Sequence, residues 1–314
     1  MFAARCIGIS LALFLLLYVP LSVVASRGWR WVRRVLKPQS ARGSANLLFV
    51  LRVAPFALAC LFTLLFTLPS FLLLEPRSTN EAVGLDPALL GLCCLMLLAA
   101  GVFKAVSAQL KTSRALVRWL DGSTILEADS ALPVFCSSNS PTLTVSGVRE
   151  PKVLISEAAV AALTPPELRT ALKHEVAHAK AYDNLKKLMF RVAFFPGMNT
   201  LERAWSEEAE FAADDAAVSS LPEALDLASA LIKVSRLAVA APSAALATGL
   251  LHSATALGVR VERLFAWREL PASPASNRAW FYAVPTLLAM LVVTVTTYSS
   301  ALNGLHEVTE WLVR

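Results

Sequence analysis

The chain has 314 residues, of which 56% are hydrophobic and 17% are charged, and its mean hydropathy is +0.58. These values leave too little polar surface to cover a soluble globule, so they exclude intrinsic disorder and an ordinary cytosolic enzyme. The five cysteines include no Cys-x-x-Cys pair, which argues against a disulfide framework or a cysteine zinc site. The apolar residues fall in long uncharged runs, as is typical of a membrane protein that carries one water-soluble domain.

Three apolar runs within residues 1–110 are long enough to cross a bilayer as helices, which takes about 20 residues. They cover residues 6–26, 53–74 and 87–103. The first run exceeds the ~7–15 apolar residues of a signal peptide, so a retained anchor is favoured. Arg52 directly precedes the second run, and we expect its side chain to snorkel to the membrane interface.

A fourth run covers residues 280–302, within a C-terminal segment, 271–314, that consists of this span and a short tail. Trp280 and Tyr282 occupy positions that are typical of interfacial anchors. The alanine-rich stretch 237–259 is also uncharged, but it contains proline, serine, threonine and histidine, so we predict that it is not a fifth span.

The charges of the loops predict the orientation. Residues 27–42 contain six basic residues and no acid, which favours a cytoplasmic location after the first span and predicts no direct nucleic-acid binding. The loop 75–86 is acid-rich and is expected outside. Residues 104–279 are then cytoplasmic, and both termini lie outside.

The predicted cytoplasmic domain, residues 111–270, begins with short β-branched runs separated by serine, asparagine, proline and glycine. The runs 132–135, 142–145 and 152–155 predict a small sheet. We expect residues 142–146 to form an edge strand to which an extended substrate could add its main chain.

Two helices follow the strands. Thr164 and Glu167 form a capping-box pattern, which predicts that a helix starts here and continues to about Phe190. A Pro-Gly turn at 196–197 separates it from a second helix that covers roughly residues 200–219.

The first of these helices contains the pattern His-Glu-x-x-His. His174 and His178 are four residues apart, so both imidazoles face one side of the helix and can reach one metal ion. Glu175 is turned about 100° from His174 and can act as a general base beside that ion. Two imidazoles with one oxygen ligand are typical of catalytic zinc.

The second helix offers the third ligand. Glu210 and Asp214 lie one turn apart, so one could bind the metal while the other orients a histidine. The alternative is a solvated acidic face, and spacing alone does not choose Glu210 over Glu207. The acids of residues 206–216 are Glu207, Glu208, Glu210, Asp214 and Asp215.

The motifs His174-Glu175-x-x-His178 and Glu210-Phe-Ala-Ala-Asp214 resemble the gluzincin signature of integral-membrane zinc peptidases, especially those of the BlaR/MecR antirepressor type. The resemblance implies that His174, His178 and Glu210 bind one zinc ion per chain. It also implies that Glu175 is the general base. Asp214 would not bind the metal itself but would orient one of the ligands.

The resemblance extends to three spans before the zinc helix, a Leu-Thr-Pro-Pro-Glu-Leu helix start and the step Tyr182-Asp-Asn184. It implies a mainly α integral membrane protein with four transmembrane helices and an inserted α+β gluzincin-type domain, in the bilayer of a bacterial plasma membrane. The implied partner is a protein substrate such as a DNA-binding repressor.

The sequence departs from the best-known receptors of this group in two places. Residues 303–314 are too short for a penicillin-binding sensor, and no lysine follows a serine by three positions, so a stimulus would need another route such as a partner sensor subunit. Asn184 stands where those relatives often have histidine. A packing role is favoured for Tyr182 over a hydrogen bond to an oxyanion.

Other functions remain open at this stage. An HtpX-type quality-control or processing peptidase shares both core motifs. A catalytically silent receptor or scaffold could keep the metal site for folding alone, although it would have no need of Glu175. A transport protein is disfavoured because the spans lack an array of polar residues.

Overall fold

The structure is a computed structural model, and it describes most of the chain. The chain forms two compact units. The first unit contains residues 1–25, 54–99 and 270–314, and the second contains residues 26–53 and 100–269. The predicted fourth span lies almost entirely outside the described residues. Those residues are 2–36, 40–74, 84–127, 130–237, 248–249, 254–268, 298, 300, 302–305 and 307.

Within the described residues, three helices are long and apolar enough to cross a membrane, at the places where the first three spans were predicted. Each is longer than its apolar run. Helix α4, for example, continues through Lys104 into the second unit. The helical segments are α1 (Phe2–Leu36), α2 (Ala41–Phe62) with a π-helical turn at Thr63–Thr67, α3 (Leu68–Leu74) and α4 (Leu85–Leu120).

Within the first unit, α1 and α4 approach closely at two glycines. A Cβ atom on Gly91 would lie 2.9 Å from the carbonyl oxygen of Gly8, so only a small residue fits there. Farther along α1, Phe14 and Tyr18 contact Phe56 of α2 with ring centroids 5.7 and 5.6 Å apart. Small residues and aromatic rings thus pack the apolar helices together.

The second unit contains a five-stranded sheet in the order β1-β2-β4-β3-β5. Strands β2 and β4 are parallel, and the other neighbours are antiparallel. The three predicted strands are confirmed. The strands are β1 (Thr124–Leu126), β2 (Val134–Cys136), β3 (Leu143–Ser146), β4 (Lys152–Ile155) and β5 (Thr248–Gly249).

The prediction that residues 142–146 form a sheet edge is wrong. Strand β3 pairs with β4 on one side, and on the other side Val145 lies opposite Thr248 and Thr144 opposite Gly249. The chain itself therefore covers the side of β3 that was expected to be open. Among the described strands, β1 and β5 are the edges.

The helices of the second unit pack against this sheet and against one another. Buried residues of α6, α9 and α10 join those of β2, β3 and β4 in one apolar core, which includes Leu172, Leu227 and Val153. The helices are α5 (Glu157–Ala162), α6 (Pro165–Lys180), α7 (Asp183–Val192), α8 (Asn199–Ala217), α9 (Leu221–Leu237) and α10 (Ala254–Phe265).

The single helix predicted from Thr164 to Phe190 is in fact two helices. It starts with the predicted capping box, in which the Thr164 amide donates to the Glu167 carboxylate at 2.7 Å. It ends at Lys180 because Tyr182 adopts the left-handed conformation, with φ of 56°. Helix α7 then starts at Asp183.

Arg52 does not snorkel to an interface. Its side chain is 1% exposed and bonds Glu202 of α8 at 2.8 Å. It also donates to the carbonyl oxygens of Phe190 and Ala193 at the end of α7. These acceptors hold the guanidinium inside the second unit, so α2 is anchored to α7 and α8.

Candidate metal centre

Two helices bring three potential metal ligands together in the interior of the second unit. His174 and His178 lie one turn apart on α6, and Glu210 lies on α8, which packs against it. The two Nε2 atoms are 3.1 Å apart, and each is 3.6 Å from an oxygen of Glu210. All three residues are buried, and their ligand atoms lie within 4.8 Å of one another.

Carboxylates behind the imidazoles set which ring nitrogen faces the cluster. Nδ1 of His178 is 2.8 Å from Asp183, and Nδ1 of His174 is 3.0 Å from Asp214. A carboxylate accepts from a protonated Nδ1, which leaves the lone pair on Nε2. The bond to Asp183 thus directs Nε2 of His178 towards Glu210, and Nε2 of His174 lies at the same distance from that carboxylate. This donor set fits a divalent metal such as zinc.

The electrostatics of the cluster favour a positive charge among these groups. Burial by itself lowers the pKa of His178, but the Glu210 carboxylate and the bond to Asp183 outweigh it and raise the pKa to about 10. Burial likewise raises the pKa of Glu210, but the two histidines and Arg260 hold it well below its ordinary value. A metal cation held among the three ligands would be stabilised by the same negative surroundings.

Glu175 lies beside the cluster with one oxygen anchored. Its Oε2 accepts the backbone N–H of Val145 at 2.7 Å. Its Oε1 is buried and has no hydrogen-bond partner in the described part of the chain. Burial raises the pKa of this carboxyl, which brings its proton affinity closer to that of a general base working near neutral pH.

Arg260 completes the cluster and was missed by the sequence analysis. It is 3% exposed, and it bonds both oxygens of Asp214, at 2.6 and 2.8 Å. A third nitrogen lies 2.9 Å from Glu210. Arg260 lies on α10, and no motif near it in the sequence indicated this contact.

Asp183 and Asn184 acquire roles that the sequence did not assign. Asp183 is fully buried against His178. Asn184 donates to the carbonyl oxygens of Val145 and Gly147 at 3.2 and 3.1 Å, so it ties β3 to α7. The hint in the sequence was Tyr182-Asp-Asn184, which follows the His-Glu-x-x-His motif after three intervening residues. Its meaning depended on the helix break at Tyr182.

The structure separates the five acids of residues 206–216 by their surroundings. Glu210 and Asp214 face the histidines, whereas Glu207 is exposed. Glu208 pairs with Arg33 and Asp215 with Arg263. The side chain of Tyr182 is 66% exposed and does not reach the cluster, and both remaining histidines, His252 and His306, lie outside the described residues.

Comparison with known proteins gave no relative for this chain, because no family model matches it and no curated protein matches it.

Proposed function

We propose that this chain is a membrane-anchored zinc endopeptidase. The observation that carries the proposal is Glu175, a buried carboxylate with one free oxygen beside three converging ligands, His174, His178 and Glu210. A metal that served folding alone would not need a carboxylate in this position. The pairing of metal ligands with a base is typical of metal-assisted hydrolysis.

Each residue of the cluster has a separate task in this proposal. His174, His178 and Glu210 would hold the ion, which supplies Lewis acidity toward a peptide carbonyl when bound. Glu175 takes a proton from the attacking water and passes it to the leaving amine. The Val145 N–H fixes the orientation of Glu175. Asp183 and Asp214, which lie beside the Nδ1 atoms, favour the imidazole tautomer that leaves Nε2 free to bind the ion.

The membrane setting follows from α1, α2 and α4, which are long and apolar enough to serve as spans. The loop charges favour a cytoplasmic catalytic domain and a fourth span at residues 280–302. Together with the gluzincin-type motifs, this arrangement favours a BlaR/MecR-like signalling peptidase that cleaves a protein such as a repressor. An HtpX-type processing peptidase is the second candidate within the class.

Metal content and proteolysis can be tested separately. The full chain, purified in detergent, should contain one zinc ion, and so should Glu175→Gln, because the latter loses only the base. His174→Ala and Glu210→Ala should lose the metal, whereas the exposed Glu207→Ala is the matched control and should keep it. Metal retained in both ligand variants would refute the site.

Proteolysis is tested in cells that express the wild type or Glu175→Gln, by mass spectrometry of protein N-termini. New N-termini that appear only with the wild type would identify substrates. Identical N-termini in both strains, with zinc bound, would favour the silent receptor or scaffold instead. A reporter fused after Gly122 should report a cytoplasmic location, and an external signal would refute the orientation.

A further inference from the structure

A second, cationic cavity lies on the other face of the metal-binding helix. It has a volume of about 510 Å³ and is bordered by the start of α2, by α6 and by Lys186 of α7. Val176 and Lys180 of α6 line it, and their positions on the helix are turned away from His174 and His178. The cavity is therefore distinct from the candidate metal centre.

Four basic side chains line this cavity, and among the described lining residues there is no acid. The four are Arg42, Lys173, Lys180 and Lys186. Two of these lysines have carboxylate neighbours, since Lys173 pairs with Glu223 at 2.6 Å and Lys186 lies 3.4 Å from Asp183. Within the described residues, Arg42 and Lys180 have no acidic partner. The cavity thus carries an excess of positive charge.

Arg42 provides a separate observation. Its Nη1 atom is buried and has no hydrogen-bond acceptor in the part of the chain that the structure describes. A buried donor without an acceptor is costly, and a rotation of the side chain that turned this nitrogen into the cavity would let an anion there remove that cost. Lys186 is also partly enclosed, with 14% of its side chain exposed. Arg42 and Lys186 are thus partly enclosed, whereas Lys173 and Lys180 are exposed to solvent.

The start of α2 adds to the positive potential. Arg42 lies in the first turn of this 22-residue helix, where the Ser40 hydroxyl accepts the Gly43 amide. The N-terminal end of a helix carries a partial positive charge and favours anions. The basic side chains and the helix terminus therefore both make the electrostatic potential of the cavity more positive.

We propose that this cavity binds a phosphate-bearing small anion. Four cationic side chains suit a dianion better than a single carboxylate, and lysine and arginine are the usual ligands of phosphate. The volume falls in the range of small-molecule sites, about 300–1,000 Å³. Leu172 and Val176 form an apolar part of the wall that suits the organic portion of a phosphate ester.

A lipid headgroup and a soluble phosphate ester share this chemistry, and the position of Arg42 favours the soluble source. Arg42 lies ten residues before Arg52 on α2, which is about 15 Å of helix, and the apolar run starts only after Arg52. The headgroup layer beyond the hydrocarbon is about 5–8 Å thick. A soluble ester therefore reaches the cavity more readily than a headgroup does.

The test measures binding of 1-naphthyl phosphate to the purified full chain in phosphatidylcholine nanodiscs by calorimetry. We expect saturable binding of one probe per chain, weakened at least about tenfold in Arg42→Gln/Lys180→Gln because two charged contacts are lost. The variant Arg42→Lys/Lys180→Arg, which keeps both positive charges, should retain binding. Lys111→Gln/Arg114→Gln, which removes two exposed charges from α4, is the matched control and should bind like the wild type.

A second arm distinguishes the two sources of phosphate. Nanodiscs that contain phosphatidylglycerol should leave the affinity for 1-naphthyl phosphate unchanged if the ligand is soluble, and should lower it if headgroups occupy the cavity. Either result supports a phosphate site. Absence of saturable binding in phosphatidylcholine, or undiminished binding in Arg42→Gln/Lys180→Gln, would overturn the proposal. Neither outcome depends on zinc or on proteolysis.

Discussion

Asp214 shares one oxygen between two positively polarised groups. Its Oδ1 lies 2.6 Å from Nη2 of Arg260 and 3.0 Å from Nδ1 of His174. The same guanidinium contacts Glu210 at 2.9 Å. Arg260 thereby restrains both carboxylates that α8 directs towards the histidines, and it offsets part of their negative charge. The geometry of the candidate ligands thus depends on a residue of α10.

Replacement of Arg260 should weaken metal binding. We expect Arg260→Gln to lower the zinc affinity about 10–100-fold, the usual effect of losing a group that orients a ligand. Arg260→Lys should lower the zinc affinity by a smaller factor, because lysine keeps the positive charge but cannot make the two-point contact with Asp214. Competition with a chromophoric chelator measures the affinity, and the absorption spectrum of the cobalt-substituted protein reports ligand geometry.

Arg263→Gln is the matched control for this prediction, because Arg263 lies on the same helix and pairs with the exposed Asp215. It should bind zinc like the wild type. An unchanged affinity and cobalt spectrum in Arg260→Gln would contradict the restraint that we assign to Arg260.

Asp183 should support His178 as Asp214 supports His174. In Asp183→Asn the amide no longer enforces the tautomer that presents Nε2, so we expect zinc affinity to fall about 10–100-fold. Asp215→Asn changes an exposed carboxylate and should have no effect. Equal zinc affinities in the two variants would show that the contact between Asp183 and His178 does not act on the metal.

Local patterns in the sequence predicted much of the buried group of potential metal ligands. His174 and His178 depend only on the helical repeat, and the capping box at Thr164 fixed the start of that helix. The sequence could not choose Glu210 over Glu207 by spacing. That choice depends on the rotation of α8, which is set by burial of Leu201, Trp205 and Ala209 against neighbouring segments.

The features that sequence analysis missed depend on contacts between distant segments. The contact between Arg260 and Asp214 joins residues 46 positions apart, and the pairing of β5 with β3 joins residues about a hundred apart. The break at Tyr182 is local, but tyrosine rarely adopts positive φ, so its type gave no signal. Arg52 lies next to an apolar run, and only the packed structure reveals its acceptors on α7 and α8.

Helix α4 approaches the end of α7 so closely at Gly101 that no side chain fits. A Cβ atom there would collide with the carbonyl oxygen of Val192. Gly101→Ala should therefore lower the free energy of unfolding by about 1–3 kcal/mol, because backbone must shift to admit the methyl group. Chemical denaturation in detergent measures the change.

Gly28→Ala is the control for this prediction, because Gly28 is also helical and a Cβ there would meet nothing within 4 Å. Alanine has the higher helix propensity, so this variant should be neutral or slightly more stable. Equal effects of the two substitutions would contradict a close contact at Gly101.

Glu167 should make the second unit sensitive to acid. Burial by itself raises the pKa of its carboxyl, but hydrogen bonds from Lys233, Ser229 and Thr164 lower it to about 2. An ordinary glutamate titrates near 4.3, so the unfolded chain binds this proton at higher pH than the folded chain does. The stabilisation is then complete above about pH 5 and is lost as pH falls towards 2.

Comparison of the wild type with Glu167→Gln isolates this carboxylate from the other acids. At pH 7 the substitution should lower the free energy of unfolding by about 1–3 kcal/mol, because charged hydrogen bonds to Lys233 and Ser229 are lost. Denaturation midpoints measured from pH 7 to pH 3 should approach each other, because over this range the unfolded wild type takes up the Glu167 proton while the folded wild type does not. Glu157→Gln removes an exposed carboxylate from α5 and should follow the wild type throughout. A gap between the wild type and Glu167→Gln that stays constant down to pH 3 would mean that this carboxylate keeps an ordinary pKa in the folded protein.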